Sequence, residues 1–335
     1  MKNKVMKLLK IREVSSLSFL VALFIIVGLI NKDFFKVGNI LQTIDGSAMY
    51  ILLAVGISFV LLTGQIDNSI GSTLGLTAAF IATCVRDGVS LWIAVPATLL
   101  IGMTIGLFNG IGVSKFKVPS IIMTLGTMGI TRGFIYIYTD GKWVENLPDY
   151  FKEMSQLKIF GFINVFFVIT VFIVIIIHNY LTKAKKGKYF AAVGDNVGGA
   201  TLIGIPVARM QITSFVLSGL FASIAGILFV SRVGFVAPTA GTGYEMTAIA
   251  ACVLGGVSLS GGVGSVIGAS IGAIIMSSIP RILVFMKFSS DYDKTITGIL
   301  LITIVVADSL MQRRAKEKAR RARLSARSTC EEVVQ

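Results

Sequence analysis

Long apolar runs separated by short polar segments follow one another along most of the chain. A helix needs about 20 predominantly apolar residues to cross the hydrocarbon core of a bilayer. The pattern predicts about ten spans, which are 14–30, 47–64, 70–85, 89–110, 119–138, 159–180, 210–230, 245–259, 264–284 and 293–310. Because 70–85 and 245–259 are short for a crossing, we expect broken or re-entrant helices there. The predicted fold is an all-α, polytopic transmembrane helical bundle, with eight spans as the alternative count.

Composition agrees with a membrane-embedded chain. The 335 residues are 54% hydrophobic and 14% charged, whereas soluble domains carry about 25% charged residues. Glycines recur at four-residue intervals in one apolar run, at Gly102, Gly106 and Gly110. Small residues at this spacing let helices approach closely in lipid, so we expect tight helix packing along that run.

The formal net charge of +14 is concentrated in a few segments. Residues 1–13 form a basic N-terminus and 311–335 a basic tail, on either side of a transmembrane domain, 14–310. With the N-terminus in the cytoplasm, the lysine-rich loop 181–209 and the tail also fall inside, which predicts that both termini are cytoplasmic. Basic runs can bind nucleic acid, but beside spans they are typical of contact with anionic lipid. We therefore expect membrane lipids and no nucleic acid as partners.

The sequence offers little for catalysis or metal binding. Its one histidine, His178, has no acidic or cysteine partner nearby, and its three cysteines are far apart in the chain. Neither a metal-ligand set nor a nucleophile with its base is recognisable. The phosphate-binding pattern G-x-x-x-x-G-K-[ST] is also absent. We predict a non-catalytic chain without a metal site, so that any ATP must be bound by another chain.

Two acidic residues lie at or near membrane depth, where charge is costly unless it faces a cavity or a partner. Asp67 could line a solute path, but a cap for the helix that begins near Ser69 is the favoured alternative. Glu245 could cap its own helix or contact Arg232 across a loop.

Uncharged polar residues within the spans, such as Asn109, Thr124 and Thr127, suit a neutral, hydroxylated solute. Each one alone could equally serve helix packing. No ladder of acidic or histidine residues runs through the spans, which argues against a proton-coupled carrier. Neither a ring of acids nor an arginine-rich helix indicates an ion channel.

Residues 69–75 (SIGSTLG) and 262–268 (GVGSVIG) are alike. Each places Gly-Ser-x-x-Gly at the start of an apolar helix, after a polar break. Internal repeats and interrupted helices are common in transporters. The predicted topology places both breaks on the cytoplasmic side, which does not fit a simple inverted pair, so an internal repeat remains a hypothesis.

The loop 181–209 contains the stretch AAVGDNVGGATLIGIPV, which is small, glycine-rich and only mildly polar. With the preceding KKGKYF it resembles the cytoplasmic loop of ABC importer permeases of the ribose/galactose type, a family for simple sugars and a furanosyl autoinducer. The segments GQIDNSIGSTLGLTA, VPSIIMTLGTMGITRG and YEMTAIAACVLGGVSLSGGVGSVIGASIGA resemble further motifs of that family. The predicted ATPase-coupling residues are Gly187, Ala192, Gly194, Asp195, Asn196, Gly199, Ala200 and Gly204.

The resemblance implies a permease subunit of an ATP-driven importer in the bacterial cytoplasmic (inner) membrane. The implied partners are cytoplasmic ABC ATPases, a periplasmic or surface sugar-binding protein, and a second permease copy or close homologue. ATP and Mg²⁺ would be bound by the ATPase, and no cofactor by this chain. A short helix at about 194–204 would dock into a groove on the ATPase. The candidate translocation path is Asp67, Asn68, Ser69, Asn109, Thr124, Thr127, Tyr244 and Glu245.

The chain departs from the family pattern at two places. Gly198 and Gly199 stand where many members have Glu before an Ala pair, and each Gly lowers helix propensity by about 1 kcal/mol relative to Ala. We therefore expect a short coupling helix, or one ordered by its partner. Asn68 stands where the family has an apolar residue, which could alter the solute preference.

The predicted function is import of a monosaccharide or similar small hydroxylated solute by alternating access. The alternatives are a stand-alone secondary carrier or facilitator for a small neutral solute and, more remotely, a membrane scaffold.

Overall fold

The computed structural model describes residues 12–159, 161–289, 292–303 and 306. Most of the predicted basic N-terminus, the whole predicted tail 311–335 and the end of the predicted span 293–310 lie outside the described residues.

The described chain is predominantly helical, which confirms the predicted all-α polytopic fold. The α-helices are α1 (Arg12–Ile30), α2 (Val37–Gly46), α3 (Ala48–Leu62), α4 (Ile70–Arg86), α5 (Leu91–Ser114), α6 (Ser120–Tyr138), α7 (Asp149–Met154), α8 (Val165–Lys183), α9 (Lys185–Asp195), α10 (Val197–Leu202), α11 (Val207–Val233), α12 (Tyr244–Leu254) and α13 (Val266–Phe285). A 3₁₀ turn covers Lys32–Phe35, and residues 292–303 are also helical. Two short strands, β1 (Lys158–Ile159) and β2 (Ile163–Asn164), pair as an antiparallel hairpin.

Seven segments of the described chain are long and apolar enough to cross a membrane. They are Glu13–Ile30, Val37–Leu62, Leu91–Ser114, Ser120–Tyr138, Val165–Lys183, Val207–Val233 and Val266–Phe285. Helices α4 and α12 are also apolar but have only 17 and 11 residues. These are the two places where broken or re-entrant helices were expected.

Two predicted spans begin at the wrong residue. The span predicted at 47–64 begins earlier, because α2 and α3 follow one another across Ser47 as a single apolar segment of 26 residues. The span predicted at 159–180 begins later, at Val165, because the preceding residues form the β1–β2 hairpin. Gly161 at the hairpin turn has a φ of +73°, a conformation that costs glycine little. Asn164 then caps α8, since its Oδ1 accepts the Phe166 N–H at 2.8 Å.

The core is built around α3 and α11. Nearly every residue of α3 is buried, and α11 packs against α3, α4 and α5. The expected glycine packing is confirmed on α5: a Cβ atom on Gly106 would lie 2.9 Å from the Cα of Val216, and one on Gly110 would lie 2.8 Å from the Cα of Ile212. These separations are shorter than ordinary Cβ contacts, so the two helices approach backbone to backbone.

Helix α11 defines two ends of the bundle. Its 27 residues extend over about 40 Å at 1.5 Å per residue. We call the end at Val207 the loop end, because α9 and α10 directly precede it, and the end at Val233 the cavity end. The polar breaks 63–69 and 255–265 meet in the half of the bundle nearer the loop end, where the Gly262 N–H donates to the Leu62 carbonyl at 3.1 Å.

Candidate functional site

A buried polar network surrounds the break between α3 and α4. Asp67 Oδ1 accepts the backbone N–H of Ser69 at 2.9 Å and its hydroxyl at 2.6 Å, and Asp67 Oδ2 accepts the hydroxyl of Ser218 on α11 at 2.7 Å. The Ser69 hydroxyl accepts from the amide of Asn109 on α5 at 2.8 Å. The Thr127 hydroxyl on α6 donates to Asn109 Oδ1 at 2.6 Å. The network therefore ties three helices to one break.

Six of the eight predicted path residues meet at this network. Besides those above, Thr124 Oγ1 accepts the backbone N–H of Asn68 at 3.1 Å. All six are buried, and Asp67 is only 2% exposed. The Asp67 carboxylate accepts the backbone N–H of Ser69, the residue directly before α4, and the N-cap residue Ser69 makes no side-chain capping bond of its own. These residues form a packed, hydrogen-bonded contact between the break and the helices α5, α6 and α11.

Glu245 lies in the first turn of α12, where its Oε1 accepts the backbone N–H of Gly243 at 3.2 Å. The hypothesis that it contacts Arg232 is wrong. Arg232 lies at the cavity end, where its Nη1 donates to the Asp45 carbonyl at 2.9 Å, and it forms no ion pair with Glu245 among the described residues. The charge of Glu245 acts instead on Arg132 of α6, which donates to the Ala240 carbonyl.

A cavity of about 820 Å³ opens at the cavity end. Ligand pockets commonly have volumes of about 300–1,000 Å³. The cavity lies between the α2–α3 junction, the β1–β2 hairpin and the ends of α11 and α13. Its polar and aromatic lining residues include Gln42, Thr43, Asp45, Tyr50, Ser155, Gln156, Lys158, Asn164, Phe166, Phe229, Arg232, Tyr244, Ser277 and Arg281. Of the predicted path residues, Tyr244 lines it.

Aromatic rings form one wall of this cavity. The ring centroids of Tyr50 and Tyr244 are 5.4 Å apart, and that of Phe229 is 6.2 Å from Tyr244. Amides, a carboxylate and guanidinium groups face the same space. Such a mixture of flat apolar faces and hydrogen-bonding groups is suited to a hydroxylated ring or chain.

Sequence reasoning missed most of this cavity, because its residues come from five separate parts of the chain. Arg281 was nevertheless visible as a charge inside the predicted span 264–284, and an intramembrane charge indicates a functional site by default. Gln42 and Asp45 lie in a segment outside the predicted spans.

The predicted coupling segment is helical over more of its length than expected. Helix α9 covers Lys185–Asp195 and buries Phe190, whose ring packs 5.2 Å from that of Phe59 on α3. Helix α10 has six residues, and Asn196 caps it by accepting the Gly199 N–H at 2.9 Å. The cap satisfies a free backbone donor at the start of a glycine-containing helix.

The remaining predicted coupling residues take part in packing and turns. Gly187 of α9 packs closely on α8, since a Cβ atom there would lie 2.8 Å from the Cα of Leu181. Ala200 is buried and Ala192 half-buried. Gly204 ends the segment with a φ of +78°, which favours glycine.

Helix α10 and its end expose apolar side chains. Val197, Leu202 and Ile203 are 50%, 89% and 75% exposed. The neighbouring α9 brings Lys185, Lys186 and Lys188 to the same part of the chain. An apolar surface beside basic residues at one end of a bundle is typical of a docking site for another protein.

On its inner side, this segment touches both helix breaks. A Cβ atom on Gly194 would lie 2.6 Å from the Gly262 backbone N and closer still to the Leu62 carbonyl. One on Gly261 would lie 2.8 Å from the Cα of Gly64 and 2.9 Å from that of Gly194. We call this contact of residues 62–64, 194–195 and 261–262 the glycine junction. It joins the end of α9 to the two breaks through backbone atoms alone.

Residues 39–305 match the family described as "Branched-chain amino acid transport system / permease component". The autoinducer 2 import system permease protein LsrC of Escherichia coli O9:H4 (strain HS) is 37% identical over 310 residues, 92% of this chain and 90% of that protein. The proteins of the same name from Shigella flexneri and Salmonella typhi are 38% and 37% identical over 92% of this chain, and over 90% and 89% of their own lengths. No solved structure matches the chain significantly.

Relatives aligned over almost the whole chain share the permease description, and the described helices are those of a multi-pass membrane protein. Permeases of this kind work with ATPase and substrate-binding subunits and do not themselves catalyse a reaction. The protein therefore belongs to the ABC importer permeases of the ribose/galactose type, the non-catalytic translocation subunits of the bacterial inner membrane.

Proposed function

We propose that this permease imports a small hydroxylated solute by alternating access, driven by cytoplasmic ATPases that dock on α10. The observation that carries the proposal is the two-sided character of the segment α9–α10. Its outer side exposes apolar side chains, and its inner side forms the glycine junction with both helix breaks.

Docking on α10 is favoured by the chemistry of its exposed surface. Leu202 and Ile203 project apolar area that a groove on a partner can bury, at about 25 cal/mol per Å². A six-residue helix capped by Asn196 presents these side chains in a defined orientation. ATP and Mg²⁺ belong to the partner in this scheme, and both termini lie with α10 in the cytoplasm.

The glycine junction provides a direct mechanical route from that docking site into the bundle. Because its contacts are backbone to backbone, a shift of α9 displaces Leu62 and Gly262 without slack from flexible side chains. The first of these residues leads into the break at Asp67, whose network holds α5, α6 and α11. Movement of the ATPases thereby reaches the helices that must rearrange.

The solute enters from the opposite end in this scheme. The aromatic and hydrogen-bonding cavity near Tyr244 receives it from a periplasmic or surface binding protein, and a second permease copy or close homologue completes the translocation path. The relatives named for autoinducer 2 import favour a small sugar-like solute over a branched-chain amino acid. Membrane lipids contact the basic segments at the cytoplasmic face.

The test is reconstitution of the permease in liposomes with and without its ATPase and binding protein, followed by uptake of labelled solute. Uptake that requires both partners and ATP is expected. Uptake by the permease alone, unaffected by ATP, would identify the rival stand-alone carrier and refute the proposal.

A docking variant sharpens this experiment. Leu202→Asp removes about 2 kcal/mol of apolar burial, so affinity for the ATPase should fall about thirtyfold. Phe162→Asp is the matched control, because Phe162 is also exposed, at 64%, but lies in the hairpin at the cavity end. If the two variants bind the ATPase with equal affinity, the ATPase does not dock on α10.

A further inference from the structure

The two arginines that line the cavity have no carboxylate partner among the described residues. Arg232 donates to a backbone carbonyl, that of Asp45. Arg281 donates to the amide oxygens of Gln42 and Asn39, and its Nε is buried without a hydrogen-bond partner in the same part of the chain. The ion pairs within the described ranges all lie elsewhere, at Lys36–Asp33, Arg86–Asp87 and Lys152–Asp149.

Positive charge therefore predominates on the cavity wall. Among the described residues, Arg232, Arg281 and Lys158 line it together with a single acidic residue, Asp45. The Asp45 carboxylate accepts the backbone N–H of Asn164 at 3.4 Å and is attracted by both Arg232 and Lys158.

A second carboxylate, Asp293, interacts with the tyrosines on the aromatic side. Its charge acts on Tyr50 and Tyr244, and Lys294 lies beside it in the chain. In the part of the chain that the structure describes, it forms no ion pair with Arg232 or Arg281.

The guanidinium groups of Arg232 and Arg281 line the same cavity, and the charge of Arg232 acts on Arg281. Like charges held together in a site of low polarity are costly and are retained where an opposite charge binds between them. A guanidinium group carries its donors in a planar fork that matches the two oxygens of a carboxylate or phosphate.

We propose that Arg232 and Arg281 form an oxyanion-binding site, and that the solute is a small hydroxylated compound bearing a carboxylate or phosphate group. The oxyanion lies between the guanidinium groups, and the hydroxylated part lies against Tyr50, Phe229 and Tyr244. This inference rests on the proposed function in that it assigns a chemical class to the imported solute. It differs from the expectation of a neutral solute, which was based on uncharged residues that lie buried in the network at Asp67.

Binding to the purified permease in phosphatidylcholine nanodiscs tests the site without any ATPase. D-gluconate and sorbitol are matched probes, because both are linear six-carbon polyols and only gluconate carries a carboxylate. Calorimetry should show gluconate binding about tenfold or more tighter than sorbitol, the effect expected of one charge-assisted contact. Inorganic phosphate should compete with gluconate. Equal binding of the two polyols, or no binding of either, would overturn the proposal.

Single substitutions locate the site. Arg232→Gln and Arg281→Gln should each weaken gluconate binding about tenfold or more, and Arg281→Lys should retain part of it. Arg209→Gln is the control, because Arg209 is an exposed arginine of the same helix as Arg232 but at the loop end. Arg232→Gln loses only one backbone contact, so it remains informative if the Arg281 variants do not fold.

A lipid head group is the competing ligand for the two arginines. If gluconate does not bind while both Gln variants lose co-purified phosphatidylglycerol, the arginines hold that head group and the inference fails. ATP-driven uptake of sorbitol at equal rates in the parent and Arg232→Gln would also overturn it, yet leave the proposed function standing. Gluconate binding without ATP-driven uptake would support the oxyanion site but refute the proposed function.

Discussion

Gly194→Ala is the substitution that tests transmission through the glycine junction most directly. The new methyl group would lie 2.6 Å from the Gly262 backbone N, whereas ordinary contact begins at 3.4 Å. The two backbones must separate by about 0.8 Å along that direction, and both atoms belong to main chain that cannot rotate away.

The energy of this change can be bounded from its parts. Overpacking of a tight site costs about 1–3 kcal/mol, and stretching the hydrogen bond from Gly262 to Leu62 costs about 1 kcal/mol. Replacing a helical Gly with Ala returns about 1 kcal/mol. The net destabilisation is about 1–3 kcal/mol, borne by the junction while the docking surface of α10 is unchanged.

The assay compares ATPase binding, ATP hydrolysis and solute uptake in the reconstituted importer. We expect Gly194→Ala to bind the ATPase normally but to lose about tenfold or more of its uptake per ATP hydrolysed, since a loss of about 1.4 kcal/mol in coupling is tenfold. Gly198→Ala is the matched control, because a Cβ atom there has only one neighbour, Asn196 Oδ1, at an ordinary 3.4 Å. Parental uptake by Gly194→Ala would refute transmission through the junction.

Three further substitutions test the packing. Asp67→Ala leaves the hydroxyl of Ser218 and other buried donors unpaired, at about 1–3 kcal/mol for each, and should lower the thermal unfolding midpoint in detergent; an unchanged midpoint would contradict the structural role of the network. Asn196→Ala removes the cap of α10 and should destabilise this helix by about 1 kcal/mol. The expected result is weaker binding of the ATPase to the permease. Adding phosphate or solute should not restore that binding. Gly106→Ala should destabilise the α5–α11 contact by about 1–3 kcal/mol, whereas Gly129→Ala, where a Cβ atom meets nothing within 4 Å, should be neutral or stabilising by the same thermal assay.

Much of the architecture could be predicted because it depends on local composition. The apolar run of a membrane helix is long, so most spans could be located to within a few residues, including the short helices α4 and α12. The start of α8 was missed because the hairpin before it is also apolar. The helix α9 was missed because its lysines and glycines make the segment look like a loop, and its stability depends on burying Phe190 against Phe59 of a distant helix.

The candidate site likewise has parts that could be predicted from local sequence and parts that could not. The loop 181–209 was recognisable because its motif is contiguous, and six polar residues of the predicted path do meet, although in a packed network around Asp67. The cavity could not be read from the chain, because Asp45, Arg232 and Arg281 converge only when three helix ends are brought together. Local sequence sets where the chain enters and leaves the membrane, since hydrophobic length is a local property. Which charges face one space is decided by the tertiary structure, because pairing between residues distant in sequence leaves no periodic signal along the chain.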